Sequence, residues 1–200
     1  MVFGFSRRSQ DREKYGDRVP PNQKVVEDWP VLTYGATPNI DTARWRLRLL
    51  GEVAEEKEFT WEEFLTLPQT TFTADIHCVT GWSRLGDEWE GVLVRDLLEH
   101  VSLNPAAKAA MAHCYGGYTT NILLDDLLQD NVMVAHKHNG RPLEVAHGGP
   151  ARLLVPHLYF WKSAKWLHAL QFLQEDRPGF WEVNGYHIRG DPWKEERYSF

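Results

Sequence analysis

The chain is short of cysteine, of long apolar runs and of positive charge. Its 200 residues include two cysteines, Cys78 and Cys114, too few for a disulfide-stapled secreted domain. No apolar run approaches the roughly 20 residues that a bilayer-spanning helix needs, which excludes a membrane role by insertion. The 22 Lys and Arg residues against 28 Asp and Glu give a formal net charge of −6 without a basic stripe. This charge pattern argues against a nucleic-acid-binding protein.

The N-terminus lacks the apolar stretch of an export signal. Ser6-Arg7-Arg8 resembles the start of a twin-arginine signal, but the charged residues 11–17 follow it. We therefore predict a cytoplasmic location, an N-terminal arm over residues 1–24 and a single domain over residues 25–200.

Short alternating segments dominate the rest of the chain, which predicts an α+β fold with a mixed, β-rich sheet. Thr60 and Glu63 have the spacing of a capping box and predict a helix to residue 67. Apolar residues on one helical face predict a second helix over 92–101, and the Ala-rich stretch 105–110 suggests a helical turn. Strands are predicted over residues 45–50, 72–77, 112–115, 118–123, 132–136, 152–156 and 165–173, the last of which the pattern also allows as a helix.

Cys78 is the most suggestive single residue. It follows the predicted strand 72–77 and enters a Gly-containing turn, where an accessible thiolate ligand can be held rigidly. Cys114 is better explained as a small buried hydrophobe. A zinc site from His77, Cys78, His113 and Cys114 is a weaker alternative, because adjacent strand residues point to opposite faces.

The segment 147–166 concentrates glycines and cations. Gly148 and Gly149 allow close approach of the backbone to a ligand, and Arg152, Lys162 and Lys165 suit a phosphate. The alternative is that the lysines simply solvate an exposed strand.

Several motifs together resemble the molybdopterin-binding domain of the sulfite oxidase family, over about residues 30–172. They are Cys78 at a strand end, Tyr118-x-x-x-Ile122, Asn139-Gly140-Arg141-Pro142-Leu143, His147-Gly-x-Pro-x-Arg152 and Lys162-Ser163-x-Lys165-Trp166. The segments 75–82 and 179–182 resemble those of its small, stand-alone bacterial members. The resemblance implies a molybdenum and molybdopterin cofactor, with Cys78 as the metal ligand.

The resemblance also implies roles for further residues. Tyr118 and Arg84 would join Cys78 as catalytic residues, and Trp161 would lie at the pocket. The residues implied in cofactor binding are His77, Trp82, His147, Arg152, Lys162, Ser163, Ala164 and Lys165.

The implied function is two-electron chemistry at molybdenum, as oxygen-atom transfer with a small-molecule donor or acceptor and a separate electron-transfer partner. The arginines that animal and plant sulfite oxidases place after the metal cysteine are missing, with Arg84 as a partial replacement, so sulfite is not favoured as substrate. The alternatives are reduction of S-oxides or N-oxides, as in methionine sulfoxide reductases, and a non-catalytic molybdopterin- or anion-binding domain.

Overall fold

The computed structural model describes residues 7–199, and their side chains from residue 10 onward. The helices are α1 (Arg7–Tyr15), α2 (Trp61–Thr66), α3 (Val94–Leu98), α4 (Leu124–Leu127) and α5 (Phe180–Val183). The strands are β1 (Lys24–Val25), β2 (Arg46–Gly51), β3 (Lys57–Thr60), β4 (Thr70–Cys78), β5 (Trp82–Leu93), β6 (Ala109–Cys114), β7 (Thr119–Leu123), β8 (Met133–His138), β9 (Arg141–Pro142), β10 (Arg152–Leu154) and β11 (Leu167–Leu173). Within residues 7–199, no helix has the length and apolar character needed to cross a membrane.

The strands form two mixed sheets. The first has the order β1-β5-β8-β10, with β4 also paired to β5 and β9 to β8. The second has the order β3-β2-β11-β6-β7. Each sheet has one parallel pair, β1 with β5 and β2 with β11, and its other pairs are antiparallel. The predicted mixed, β-rich α+β fold is confirmed.

The first sheet is buried on both faces. Val134 and Leu153 face the core shared with the second sheet, whereas their neighbours Met133 and Leu154 face a smaller core that contains Cys78. Alternation along a strand sends successive side chains to opposite faces, so one short apolar run supplies both cores. The smaller core lies beside the cavity that Cys78 contacts.

The helix predicted over 92–101 is wrong at its N-terminal end. Val92 and Leu93 belong to β5, where they pair with Val134 and Met133 of β8. Because each of these residues fills a core, the helix is confined to Val94–Leu98. The helix predicted from residue 60 is present, and the side chain of Thr60 caps it together with Glu63.

The helical turn suggested for residues 105–110 is shorter than expected: a single hydrogen-bonded turn covers residues 105–106, and β6 already begins at Ala109. Ala110 and Ala112 lie opposite Phe172 and Leu170 of β11, and both alanines are fully buried. Small side chains fit this crowded central strand, so the alanines reflect packing and not helix propensity.

The N-terminal arm packs on the first sheet. Residues 1–6 of the arm lie outside the described part of the chain. The remainder of the arm begins with α1 and ends at Lys24, the first residue of β1. Arg18 makes an ion pair of 2.7 Å with Asp75 of β4, and β1 runs beside the start of β5. The arm therefore contacts the strands that lead into and out of Cys78.

The C-terminal segment after β11 is tied back to α4 through Asp126. Burial alone would raise the pKa of Asp126, but hydrogen bonds from His157 and Arg189 outweigh it and hold the pKa well below its ordinary value. A lowered folded-state pKa stabilises the protein above the unfolded value of about 3.9, and this stability is lost as the pH falls below it.

Asp126→Asn should therefore lower the free energy of unfolding at pH 7 by about 2 kcal/mol. The difference from the parent should shrink as the pH falls below about 4, because Asp126 of the unfolded parent then takes up a proton while the folded parent keeps its carboxylate charged. Urea unfolding at pH 7 and pH 3 measures both values. An equal difference at the two pH values would contradict the assignment of this stability to the charged carboxylate.

Candidate active site

Cys78 lies at the tip of the hairpin between β4 and β5. It is paired with Trp82 across a loop of three residues, in which Gly81 adopts a left-handed φ of 94°. The Cys78 side chain contacts a cavity, and its Sγ lies 3.2 Å from Oγ1 of Thr80. Burial raises the pKa of the Cys78 thiol in the protein alone. The strand-end position predicted from the sequence is thus the one observed, and a thiol here would need a cation or metal to become a thiolate at neutral pH.

The cavity that Cys78 contacts has a volume of about 340 Å³, within the range of small-molecule sites. Five separate parts of the chain surround it: an irregular segment before β2, the Cys78 hairpin, the turn before β7, the stretch from His147 to Trp166 around β10, and the segment around α5. Its wall consists of Trp29, Pro30, Leu32, Thr33, Tyr34, Cys78, Val79, Thr80, Trp82, Tyr118, His147, Arg152, Phe160, Trp161, Ser163, Ala164, Lys165, Trp166, Trp181 and Tyr186.

Arg152 and Lys165 give one side of the cavity a positive charge. Arg152 is 2% exposed and donates to the backbone oxygens of His147 and Ser163. Lys165 donates to Oγ1 of Thr33 at 2.6 Å and to the backbone oxygen of Ala146 at 3.0 Å. Neither cation forms an ion pair within residues 10–199. Burial lowers the pKa of Arg152 to about 9, and burial together with the charge of Arg152 lowers that of Lys165 to about 8. Both cations would be stabilised by an anion in the cavity.

His147 lies beside Arg152, but its own ring is neutral at pH 7. Its imidazole stacks on Trp29, with ring centroids 3.9 Å apart and an interplanar angle of 16°. Burial, and then the charge of Arg152, lower the pKa of His147 to about 4. At neutral pH it can therefore offer a hydrogen bond and a flat surface, but not a positive charge.

A second group of wall residues, Trp161, Trp181 and Tyr186, is aromatic. Trp181 and Tyr186 stack with centroids 4.9 Å apart, and Trp161 meets Tyr186 edge-on at 5.0 Å. Gly190 supports Trp161 from behind, where an added Cβ would come within 2.7 Å of the indole ring. This part of the wall is rigid and carries little charge.

Two further donors lie at the wall, one engaged within the protein and one without a partner in the described structure. The hydroxyl of Tyr118 donates to the backbone oxygen of Trp161 at 2.8 Å, and burial raises the pKa of Tyr118, so it keeps its proton at neutral pH. The buried Nε1 of Trp82 has no hydrogen-bond partner in the described structure. An unpaired buried donor is costly, and a ligand in the cavity would satisfy it.

Three of the residues predicted for the site are not on the cavity wall. His77 is buried beneath it and hydrogen-bonded to Ser83, and burial lowers its pKa to about 4. The guanidinium of Arg84 is held by Asp87 at 2.8 Å and by the backbone oxygen of Glu27. Alternation along the hairpin accounts for His77, because His77 and its partner Ser83 face away from Cys78 and Trp82. Arg84 lies on the same face as Trp82, but its ion pair with Asp87 holds it off the cavity wall.

Lys162 is the third. Its Nζ lies 2.7 Å from Oε1 of Glu182 in a fully buried ion pair and also donates to Asn121. It is therefore engaged below the wall formed by Trp161. The other predicted residues are brought together at the cavity. They are Cys78, Tyr118, Trp82, His147, Arg152, Ser163, Ala164 and Lys165.

From the sequence, no site role is predicted for Trp29, Tyr34, Trp181 or Tyr186. Trp29 and Tyr34 stand in an irregular stretch without periodicity, so only their aromatic character marked them. The contact of Trp29 with His147 and that of Tyr34 with Trp181 place the segment over the cavity. A cysteine, unpaired cations and aromatic walls can together hold a flat, anionic organic group beside a thiolate-bound metal.

Comparison with known proteins identifies the class of protein as a molybdopterin-binding oxidoreductase related to the sulfite oxidases. The chain belongs to the family described as "Oxidoreductase molybdopterin binding domain", whose model matches residues 34–181. The predicted resemblance is confirmed. A sulfite oxidase of Arabidopsis thaliana and nitrate reductases of several organisms are among the curated relatives.

The relatives differ in how much of their length this chain spans. An uncharacterized oxidoreductase of Bacillus subtilis (strain 168), YuiH, is 45% identical over 201 residues and is covered completely. A putative protein-methionine-sulfoxide reductase subunit, YedZ1, of Azospira oryzae (strain ATCC BAA-33 / DSM 13638 / PS) is 28% identical over 86% of this chain and 66% of its own length. The crystal structure of the sulfane dehydrogenase SoxCD from Paracoccus pantotrophus matches with a TM-score of 0.64 and 25% identity, over 70% of this chain and 40% of that one.

Proposed function

We propose that the chain binds molybdenum and molybdopterin in this cavity and catalyses oxygen-atom transfer, with Cys78 as the protein ligand of the metal. Residues 25–200 would form the single cofactor-binding domain, with residues 1–24 as an arm packed on it. A separate redox partner would exchange the electrons. The cytoplasmic location stays a prediction of the sequence.

The observation that carries the proposal is that one cavity combines a cysteine with two cations that have no ion-pair partner within residues 10–199, the buried Arg152 and the half-buried Lys165. Arg152 and Lys165 donate hydrogen bonds only to neutral oxygens, and the charge of Arg152 adds to burial in lowering the pKa of Lys165. A phosphate between them would remove this penalty. Cys78 supplies a soft sulfur ligand on the hairpin side of the same cavity.

The bound cofactor would supply the two-electron chemistry, and the chain's own residues would position and protect it. His147, Ser163, Ala164 and Trp82 line the cavity and would contact the pterin, and the aromatic wall would limit access of water. Tyr118 keeps its proton at neutral pH, and it would donate to the reacting oxygen of the substrate by giving up its present hydrogen bond to the backbone oxygen of Trp161.

Reduction of an S-oxide or N-oxide is the second candidate, and the aromatic wall favours it. Arg84 is turned away from the cavity, and Trp161, Trp181 and Tyr186 offer no charge to a dianion such as sulfite. A neutral oxide with an apolar substituent suits this wall better. The relative described as a putative methionine-sulfoxide reductase subunit agrees with this direction of reaction.

The proposal is tested by metal and pterin analysis of protein purified from cells that make the cofactor. We expect molybdenum and pterin near one per chain, and turnover of sulfoxide, N-oxide or sulfite substrates with an artificial electron mediator. Pterin without turnover of any of these would favour a non-catalytic binding domain. Protein free of both molybdenum and pterin would overturn the proposal.

Lys165 should make anion binding depend on pH. With a pKa of about 8, its protonated fraction falls from about 0.9 at pH 7 to about 0.1 at pH 9. Sulfate keeps its charge over this range, so it should bind the cofactor-free protein about tenfold more weakly at pH 9. Titration of tryptophan fluorescence measures the affinity, since Lys165 lies 4.7 Å from the ring centre of Trp166.

Lys165→Arg is the matched control, because its guanidinium keeps its charge at pH 9. The affinity of this variant for sulfate should fall only about twofold between the two pH values, through the partial loss of charge on Arg152 with its pKa of about 9. A parent protein that binds sulfate equally well at pH 7 and pH 9 would show that Lys165 does not hold the anion.

A further inference from the structure

We propose that Gln23, Lys24 and Arg197, which we call the brace, are positioning residues that fix the Cys78 hairpin from the two ends of the chain. This inference rests on the proposed role of Cys78 as the metal ligand. All three residues lie outside the segment 34–181 that the family model matches. They are therefore features of this chain that the family assignment does not explain.

The N-terminal side of the brace holds two carbonyls of the hairpin. Nε2 of Gln23 donates to the backbone oxygen of Cys78 at 3.1 Å, and Gln23 is completely buried. The backbone N–H of Lys24 donates to the backbone oxygen of Gly81 at 3.0 Å. A buried amide that meets a buried carbonyl fixes both groups, because neither has water as a replacement partner.

The C-terminal side of the brace holds the carbonyl between these two. Nη1 of Arg197 donates to the backbone oxygen of Val79, the residue that follows Cys78. The Arg197 side chain is 17% exposed, and its guanidinium lies 5.0 Å from the ring centre of Tyr159. A cation stacked on an aromatic ring has a fixed orientation, so it directs the carbonyl that it binds.

The two sides of the brace also hold each other. Nδ2 of Asn22 donates to Oε1 of Glu195 at 2.6 Å, and Nε1 of Trp193 donates to the backbone oxygen of Asp17 at 2.9 Å. The Trp193 ring in turn meets His77 edge-on, with centroids 5.1 Å apart. Residues 17–22 and residues 193–195 thus contact each other directly, in addition to the contacts that the brace makes with the hairpin.

The consequence concerns the direction of the Cys78 side chain. The carbonyls of Cys78, Val79 and Gly81 each accept a hydrogen bond from the brace, and together they determine how the hairpin backbone is turned. Because the Cα–Cβ direction follows the backbone, the brace aims Sγ at the cavity. Partners of this kind behind a metal ligand commonly affect metal retention as strongly as they affect local order.

The test compares Arg197→Met with Arg197→Lys, and uses Lys194→Met as the matched control. Lys194 lies in the same segment, is 63% exposed and touches Asp191, so its loss removes a charge without touching the hairpin. Hydrogen exchange of the amides in residues 76–84 should be about tenfold faster in Arg197→Met, close to the parent in Lys194→Met and intermediate in Arg197→Lys. Gln23→Leu should accelerate the same amides.

A second measurement connects the brace with the metal. In Arg197→Met we expect pterin per chain to stay constant while affinity for molybdenum falls about tenfold, and kcat to fall with KM unchanged. Equal exchange of residues 76–84 in Arg197→Met and Lys194→Met would overturn the inference, as would faster exchange spread evenly over the whole chain. The exchange experiment needs no cofactor, so its outcome stands apart from failure of the proposed function, which metal-free parent protein would reveal.

Discussion

Cys78→Ser should retain pterin but lose more than about 100-fold in turnover. Changes to residues that only support a metal ligand already cost about 10–100-fold in metal affinity or activity, and removal of the ligand itself should cost more. A serine hydroxyl is a hard and weakly acidic ligand, so it replaces a thiolate poorly. Pterin should remain because Arg152 and Lys165, on another side of the cavity, are untouched. Molybdenum, pterin and kcat are measured on the same preparation.

Cys114→Ala is the matched control for this prediction. Cys114 is also a free thiol, 2% exposed, but it belongs to the core between the two sheets and is not on the cavity wall. Burial raises its pKa far above the ordinary value, which makes it inert. Turnover per molybdenum should be unchanged in Cys114→Ala. Normal turnover in Cys78→Ser, or an equal loss in both variants, would remove Cys78 from the site.

The parts of the site that the sequence predicted correctly are those set by local rules. A strand that ends in a Gly-containing turn places Cys78 at a hairpin tip, whatever the rest of the fold does. The cations Arg152 and Lys165 flank one irregular segment, and their spacing matched a family pattern. Neither inference needed the position of a distant residue.

The parts that were missed depend on contacts between distant segments. Strand β5 was not predicted because Gly86, Asp87 and Gly91 interrupt its alternation. Gly91 is required there since an added Cβ would lie 2.1 Å from the backbone oxygen of Val134, a partner 43 residues away along the chain. Likewise, no local pattern places Trp29 on His147, or Arg197 on the Cys78 hairpin.

The position of Lys162 also depends on a distant residue. The family resemblance implied that Lys162 contacts the cofactor, whereas in the structure its Nζ forms a buried ion pair with Glu182. Lys162→Met should lower the free energy of unfolding by about 3–5 kcal/mol, since it leaves the carboxylate of Glu182 buried without its cation. Glu182 also accepts from Nε1 of Trp161 and from Thr120, so it cannot move to solvent without disturbing the cavity wall. Urea unfolding of cofactor-free protein measures the loss.

The double variant Lys162→Met/Glu182→Gln separates the ion pair from a cofactor contact. A neutral amide at position 182 removes the buried negative charge that has lost its cation, so the double variant should be more stable than Lys162→Met alone. Pterin content should then follow stability and recover together with it. If Lys162→Met instead unfolded at the parent's urea concentration but lost its pterin, Lys162 would have to reach the cofactor directly. The buried ion pair would then not be its main role.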